Sequence, residues 1–69
     1  MTQAEKILQY MKDYGSITQL EAADEFGCMR LAARIADLRE DGVKIKREMV
    51  RRKNRYGETI SFAQYRLED

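Results

Sequence analysis

Residues 31–50, LAARIADLREDGVKIKREMV, decide the fold of this 69-residue chain. Up to Gly42, the large apolar residues recur every three or four positions, as they do on one face of a helix: Leu31, Ile35 and Leu38. After Gly42 the apolar residues Val43 and Ile45 alternate with lysines, which is the period of a β-strand. The change of period predicts a helix over roughly residues 29–41, followed directly by a strand.

Two further helices precede this stretch. Thr2 and Glu5 have the spacing of a capping box, and the helix that they open is expected over residues 3–14, before Gly15. Thr18 and Glu21 repeat the same spacing and open a second helix, which Gly27 closes. Between the two helices, Ser16-Ile17 is a short extended link with room for one more short strand.

A second alternating segment ends the chain. It contains Ala63, Tyr65 and Leu67, and the polar stretch 53–58 before it contains the Asn and Gly typical of a hairpin turn. We expect Ile45 to pair with Tyr65 and Val43 with Leu67. The predicted fold is therefore mainly α with a small β-hairpin, in the order α-α-α-β-β, as a single domain over residues 1–69.

The expected core draws on all three helices and the hairpin. Its helical part includes a shared face of helix 2 with Leu20, Ala23 and Phe26, and we expect Cys28 to be a half-buried apolar residue in the turn after it. The full predicted set is Ile7, Leu8, Met11, Ile17, Leu20, Phe26, Leu31, Ile35 and Leu38, with Val43, Ile45, Tyr65 and Leu67 from the hairpin.

Composition argues against several classes of function. The chain has one cysteine and no histidine, so an internal disulfide cannot form and a zinc site lacks ligands. Adjacent carboxylates such as Asp24-Glu25 do not face each other on a helix, and we find no catalytic constellation. We therefore expect no enzyme activity, no cofactor, no metal and no small-molecule ligand. Without a signal-like or long apolar segment, the expected location is the cytoplasm, with no membrane partner.

Charge is unevenly distributed, although the net charge is only +1. Residues 1–29 have two basic and five acidic side chains, whereas residues 44–55 have seven basic side chains and one acidic. Such a cluster suits a phosphate backbone. It also suits a solvated hairpin whose strand edges are kept soluble by Lys and Arg. Charge alone leaves both interpretations open.

The short turn at Gly27 requires helices 2 and 3 to cross steeply, which leaves an outer face on helix 3. That face is expected to present Arg30, Ala33, Arg34 and Asp37. Arginine can bond bidentately to guanine in a major groove. The alternative is an ordinary solvated face on which Arg34 pairs with Asp37 or Glu40.

Two more segments are candidates for phosphate contact. The amino end of helix 2, with Thr18 and Gln19, can offer backbone N–H groups. The basic hairpin can lie along the backbone or in a minor groove, and its candidate residues are Lys46, Arg51, Arg52, Lys53, Asn54 and Arg55.

Several of these motifs match a known family in order. Leu38-Arg39-Glu40-Asp41-Gly42-Val43 and the basic hairpin after it resemble the end of a recognition helix and the wing of winged helix-turn-helix proteins. Ala23-x-x-x-Gly27 is similar to the Ala and Gly pair of helix-turn-helix motifs.

The stretch from Ile7 to Leu67, including Leu31-Ala32-Ala33-Arg34-Ile35 and Asn54-Arg55-Tyr56-Gly57, resembles small helix-turn-helix domains found mainly in bacteriophages and prophages. The resemblance implies a DNA-binding domain in a phage or bacterial setting. The spacing from Gly27 to Leu31 is shorter than in repressor-type motifs, which leaves open which residues near the start of helix 3 reach a base.

Two functions follow as hypotheses. The first is a sequence-specific binder of double-stranded DNA, such as a transcriptional regulator or an accessory factor in excision or replication, acting as a dimer or cooperatively. The second is a protein-interaction module. It is favoured by Val50, Ile60 and Phe62, which the predicted pairing places on the outer face of the hairpin. Either a bulge turns these residues inward, or they form an exposed patch where a second protomer or a partner protein docks.

Overall fold

The structure is a computed structural model that describes residues 1–68. Its elements are α1 (Gln3–Tyr14), β1 (Ser16–Thr18), α2 (Gln19–Phe26), α3 (Leu31–Glu40), β2 (Ile45–Lys53) and β3 (Thr59–Leu67). The strands form one antiparallel sheet in the order β1-β3-β2. This confirms the predicted three helices and hairpin, and it confirms the extra strand, which is one residue longer than the Ser16-Ile17 link. Within the described residues, no helix is long and apolar enough to cross a membrane.

Both predicted capping boxes are present. Thr2 Oγ1 accepts the Glu5 N–H at 3.1 Å while Glu5 accepts the Thr2 N–H, and Thr18 and Glu21 make the same reciprocal pair. Each box satisfies two N–H groups that a helix leaves without partners. Gly15 ends α1 with φ at +91°, a conformation that glycine adopts without a steric cost. These local signals set the bounds of α1 and the start of α2.

The predicted start of the third helix was wrong by two residues. It begins at Leu31, and Arg30 is its N-cap residue, whose carbonyl accepts the Ala33 N–H at 3.1 Å. The preceding segment is occupied by the end of α2, because the Cys28 N–H donates to the Ala22 carbonyl beyond Gly27. Met29 and Arg30 therefore belong to the turn. The helix ends at Glu40, one residue earlier than predicted.

The predicted core was wrong at Leu20. This side chain is 71% exposed, whereas Ala22 on the same helix is fully buried. Because successive helical residues are about 100° apart, the two residues point to nearly opposite sides, and α2 packs through Ala22 and Phe26 rather than through Leu20. Cys28 is 1% exposed and belongs to the core instead of being half-buried.

The other predicted core residues pack as expected, although several are only partly buried. The buried ones are Ile7, Met11, Ile17, Leu31, Ile35, Leu38, Ile45 and Tyr65, and the partly buried ones that pack against them are Leu8, Phe26, Val43 and Leu67.

The predicted hairpin register was wrong by two residues. Ile45 pairs with Leu67 rather than with Tyr65, and Tyr65 pairs with Arg47. The turn sets this register, since the Asn54 N–H donates to the Glu58 carbonyl at 2.9 Å and centres the hairpin on Tyr56. A shift of two keeps every side chain on its predicted face. Nine successive pairs run from Ile45–Leu67 to Lys53–Thr59, so the bulge is excluded along this ladder.

The hairpin extends beyond the helices. On β2 only Ile45 is buried, and every residue from Arg51 to Lys53 is exposed. The longest dimension of the molecule is 40 Å, against 25 and 20 Å for the other two. The base of the hairpin therefore closes the core, and its distal half is an arm in solvent.

Candidate nucleic-acid interface

One side chain joins the two helices on either side of the Gly27 turn. The Gln19 amide donates to the Cys28 carbonyl at 2.6 Å, and its oxygen accepts the Leu31 N–H at 2.9 Å. The Arg30 side chain does not cap α3. Gln19 instead satisfies one of the N–H groups that the first turn of a helix leaves without partners. The amino end of α2 thus holds the amino end of α3 at a set angle.

This bonding changes what the predicted phosphate site at the start of α2 offers. The Thr18 hydroxyl accepts the Glu21 N–H at 3.2 Å, and the Gln19 amide is engaged with the turn. Both side chains therefore have structural partners. Their contact with phosphate stays a prediction, which would rest on the remaining backbone N–H groups of the helix.

The exposed surface of α3 differs in part from the predicted face. Asp37 is exposed on α3 and Arg30 is exposed in the turn before it, but Ala33 and Arg34 are half-buried. Sequence reasoning missed two small exposed residues, Ala32 and Ala36. Because they are one turn apart, they form a strip with short side chains along which another surface can approach the helix backbone closely.

Arg34 makes the intrahelical ion pair that was one of the two interpretations of this face. Its Nε lies 3.2 Å from Asp37 Oδ2, with 35% and 54% of the two side chains exposed. Nε is buried and makes no hydrogen bond, so its N–H does not aim at that oxygen and the contact is an ion pair only. Nε therefore has no hydrogen-bond acceptor among residues 1–68.

Arg39 fastens the hairpin to α3. Its Nη2 donates to the carbonyl of Ile45, the first residue of β2, at 3.0 Å, and the Val43 N–H donates to the Leu38 carbonyl at the same distance. The arm therefore leaves directly from the end of α3, with the helix and the basic strand in a fixed connection.

The basic residues predicted to contact DNA from the wing fall into two groups. Lys46, near the base, lies 3.7 Å from Glu48, which also accepts a hydrogen bond from Arg66 at 3.1 Å. The distal group is exposed, and none of its members makes an ion pair within residues 1–68: Arg51, Arg52, Lys53 and Arg55. The uncompensated positive charge is therefore concentrated at the far end of the arm.

Strand alternation divides these side chains between the two faces of the sheet. Arg51 and Lys53 share a face with Arg47 and with buried Ile45, the face on which the helices pack. Arg52 pairs with Ile60 and projects from the opposite face. The arm can thus touch a charged partner on either side of its tip.

Asn54 organises the tip. Its Oδ1 accepts the N–H groups of Tyr56 and Glu58 at 2.9 and 3.0 Å, which leaves Gly57 to take a φ of +77°. Asn54 is also one of the predicted contacts to DNA. In the structure its carbonyl oxygen shapes the turn that presents Lys53 and Arg55.

This order of elements is matched by a known family. A family model described as a winged helix-turn-helix domain matches residues 2–69. The chain belongs to this family. No curated protein and no solved structure matches it. In family terms, α2, the Gly27 turn and α3 are the helix-turn-helix, α3 stands in the position of the recognition helix and the β2–β3 hairpin in that of the wing, and domains of this class typically bind DNA.

The three residues of the predicted partner patch lie together on the wing. Val50 pairs with Phe62, and Ile60, two residues earlier on β3, projects from the same face as Phe62. With exposed Leu20 from α2 they line one depression, which we call the apolar groove. Sequence reasoning missed Leu20 as a member, because its spacing with Ala23 and Phe26 favoured the core.

The side chains that commonly bind metal ions are scattered over the described residues. Among residues 1–68, no three side chains of the Cys, His, Asp and Glu types come close enough together to hold an ion. Cys28, the single thiol, is buried in the core beneath the turn.

Proposed function

We propose that this protein is a sequence-specific binder of double-stranded DNA that acts in the cytoplasm of a bacterial host cell. Within that function, we propose a small transcriptional regulator of a phage or bacterium, or an accessory factor in excision or replication. Family membership supports DNA binding, and the resemblance to phage and prophage domains supports the setting.

The observation that carries the proposal is the distal group of basic residues on the wing. Four exposed cations without ion pairs among residues 1–68 concentrate positive potential at the tip of the wing, which attracts an anionic partner. They lie on a two-stranded arm that leaves directly from the end of α3. The phosphate backbone of DNA is a polyanion from which such cations release counterions.

Base recognition is assigned to the α3 surface. Ala32 and Ala36 permit close approach to a groove, and Arg30, Arg34 and Asp37 flank the path. Ala33 is half-buried, and we expect it to pack against the groove wall at most. Arg34 reaches a base only after its ion pair with Asp37 is broken. Its contribution to DNA affinity therefore depends on whether guanine or the Asp37 carboxylate binds the guanidinium more strongly.

The test is fluorescence anisotropy with a random duplex over a salt series. Wild-type protein is expected to bind, and the logarithm of its association constant is expected to fall linearly with the logarithm of the salt concentration. Changing Arg51, Arg52, Lys53 and Arg55 together to Ala should flatten the slope by about 0.9 for each lost phosphate contact. The exposed side chains make little contact with the core, so the variant is expected to fold.

A control variant removes positive charge elsewhere. Lys6→Ala with Lys12→Ala takes two exposed cations from α1, which lies outside the proposed interface. For each charge removed, the salt dependence of DNA affinity should change far less in this control than in the wing variant. Absence of wild-type binding at low salt, or equal changes per charge in the two variants, would contradict the proposal.

The apolar groove favours a second candidate function, a protein-interaction module that docks on a host or phage protein. The two candidates differ in what binding depends on. DNA affinity that is steep in salt and lost with the wing cations supports the first. A stoichiometric protein complex that is lost on Phe62→Ser, together with no DNA binding at low salt, supports the second.

A further inference from the structure

The apolar groove has a second exposed apolar surface beside it. This surface, which we call the aromatic patch, is formed by Met1, Tyr10, Tyr14 and Phe26. Tyr10 contacts Tyr14 at a centroid distance of 4.6 Å and Phe26 edge-on at 5.7 Å. Tyr14 is 73% exposed, and Met1 is similarly exposed. Exposed apolar surface of this kind marks an interaction site more often than a free surface.

The rims of the two surfaces carry opposite charges. Arg52 and Lys53 border the apolar groove together with one acidic residue, Glu21, whereas Asp13 and Glu25 border the aromatic patch together with one cation, Lys6. The division follows the sequence, since residues 1–29 have a net charge of −3 and residues 44–55 a net charge of +6. Each surface therefore matches the other in apolar character and complements it in charge.

The two surfaces adjoin each other along α2. Glu21 borders the apolar groove, and its Oε2 accepts the hydroxyl of Tyr10, a member of the aromatic patch, at 3.1 Å. Glu25, which borders the patch, follows Glu21 by one helical turn on α2. A two-fold axis that passes close to Glu21 would therefore bring each groove against the patch of the other copy.

We propose that a second copy of this chain docks on these surfaces, with the aromatic patch of each copy in the apolar groove of the other. Stable interfaces bury about 800 Å² per partner, which four side chains of one surface do not supply. Reciprocal contact uses both surfaces of each copy and forms a closed dimer. The proposal does not rest on DNA binding. Arg51 projects from the other face of the sheet and stays accessible in the dimer.

The test is analytical ultracentrifugation of the protein without DNA, at concentrations up to about 1 mM, where a weak dimer is populated. Wild type is expected to pass from monomer to dimer and to form nothing larger. Leu20→Ser should raise the dimer dissociation constant at least tenfold, since a buried anchor costs more than about 1.4 kcal/mol when truncated. Leu20 is exposed in the monomer, so its truncation leaves the fold intact.

Two further variants separate this contact from general stickiness. Met49→Ser removes an exposed apolar side chain from the other face of the wing, and it should leave the dissociation constant unchanged. Arg52→Glu should weaken the dimer, and adding Glu25→Arg should restore it, because opposite charges again face each other across the interface. Rescue of this kind is not expected from a loss of folding.

The proposal is overturned by a wild-type chain that stays monomeric throughout, by assemblies larger than a dimer, or by equal effects of Leu20→Ser and Met49→Ser. Failure of Glu25→Arg to rescue Arg52→Glu also overturns it. None of these outcomes bears on the salt-dependent DNA binding of a single copy, which is measured separately.

Discussion

The side-chain oxygen of Gln19 accepts the backbone N–H of Leu31 at 2.9 Å, so the first residue of α2 caps the first turn of α3. The same amide donates to the Cys28 carbonyl at 2.6 Å. A helix-turn-helix works only if its second helix is held at a constant angle to its first. In this chain, the Gln19 amide next to the Gly27 turn makes such a connection, and the Arg30 side chain makes no capping bond to α3.

We expect Gln19→Ala to destabilise the protein by about 1–3 kcal/mol, because a partly buried N–H and a carbonyl each lose their partner. The loss is large for a domain whose total stability is roughly 3–5 kcal/mol. Urea denaturation measures it, and hydrogen exchange should show faster exchange of the Leu31 amide. Gln9→Ala removes an exposed hydrogen bond to Asp13 on α1 and should cost far less. Equal losses in the two variants would contradict the role of Gln19.

Asp37→Asn should strengthen DNA binding. It releases Arg34 from its ion pair and removes a negative charge from the recognition helix. If Arg34 then reaches a phosphate, the salt dependence of binding should steepen by about 0.9. Stability should change little, since exposed ion pairs contribute about 0–1 kcal/mol.

Glu40→Gln is the matched control for Asp37→Asn. This variant removes one exposed carboxylate from the same helix. Glu40 is not the ion-pair partner of Arg34, which pairs with Asp37. Both variants gain affinity from the lost negative charge, but only Asp37→Asn should steepen the slope. Identical slopes would mean that Arg34 does not reach a phosphate in the Asp37→Asn variant.

Asn54 should contribute to DNA binding through the shape of the wing tip. Asn54→Ala deprives the N–H groups of Tyr56 and Glu58 of their acceptor, so the turn loosens and affinity falls. No charge is lost, so the salt dependence should stay as in wild type, whereas Arg55→Ala should flatten it. Asn54→Asp keeps the acceptor and should keep a well-ordered turn in NMR spectra. An Asn54→Ala variant with an ordered turn and weak binding would instead indicate direct contact with DNA.

The first capping box should make stability depend on acid pH. Hydrogen bonds from the backbone and side chain of Thr2 lower the pKa of Glu5 from its ordinary value of 4.5. The folded state therefore binds this proton less readily than the unfolded state does, and the contribution of Glu5 to stability is complete above pH 4.5. It should be lost as the pH falls through the lowered pKa.

An NMR titration of the Glu5 carboxyl measures this shift directly. Thr2→Ala removes the hydroxyl but keeps the backbone N–H of residue 2, whose bond to Glu5 is the main cause of the lowered pKa, so the pKa of Glu5 should rise only part of the way toward its ordinary value. The free energies of unfolding of the two proteins, measured with urea, should differ most above pH 4.5, and the difference should shrink in acid without vanishing, because the lost bond from the Glu5 N–H to the Thr2 hydroxyl does not depend on charge. A gap that stays constant down to pH 2 would show that the cap does not depend on the charge of Glu5.

The sequence alone determined the order of the elements, the bounds of α1, the start of α2 and the position of the wing. These features depend on local chemistry: a threonine and a glutamate three residues apart, a glycine with positive φ, and a change of apolar period at Gly42. Side-chain faces of the wing were also predictable, because a register error of two residues leaves alternation unchanged.

Only the tertiary structure decided that Ala22 faces the core and Leu20 faces solvent, since both are compatible with an amphipathic helix of eight residues. The inward side of such a helix depends on how it crosses α1 and α3, which no local pattern encodes. The bond from Leu31 to Gln19 and the pair of Val50 with Phe62 likewise join residues twelve positions apart. Such contacts are set by packing, and they form the surfaces from which the proposed functions follow.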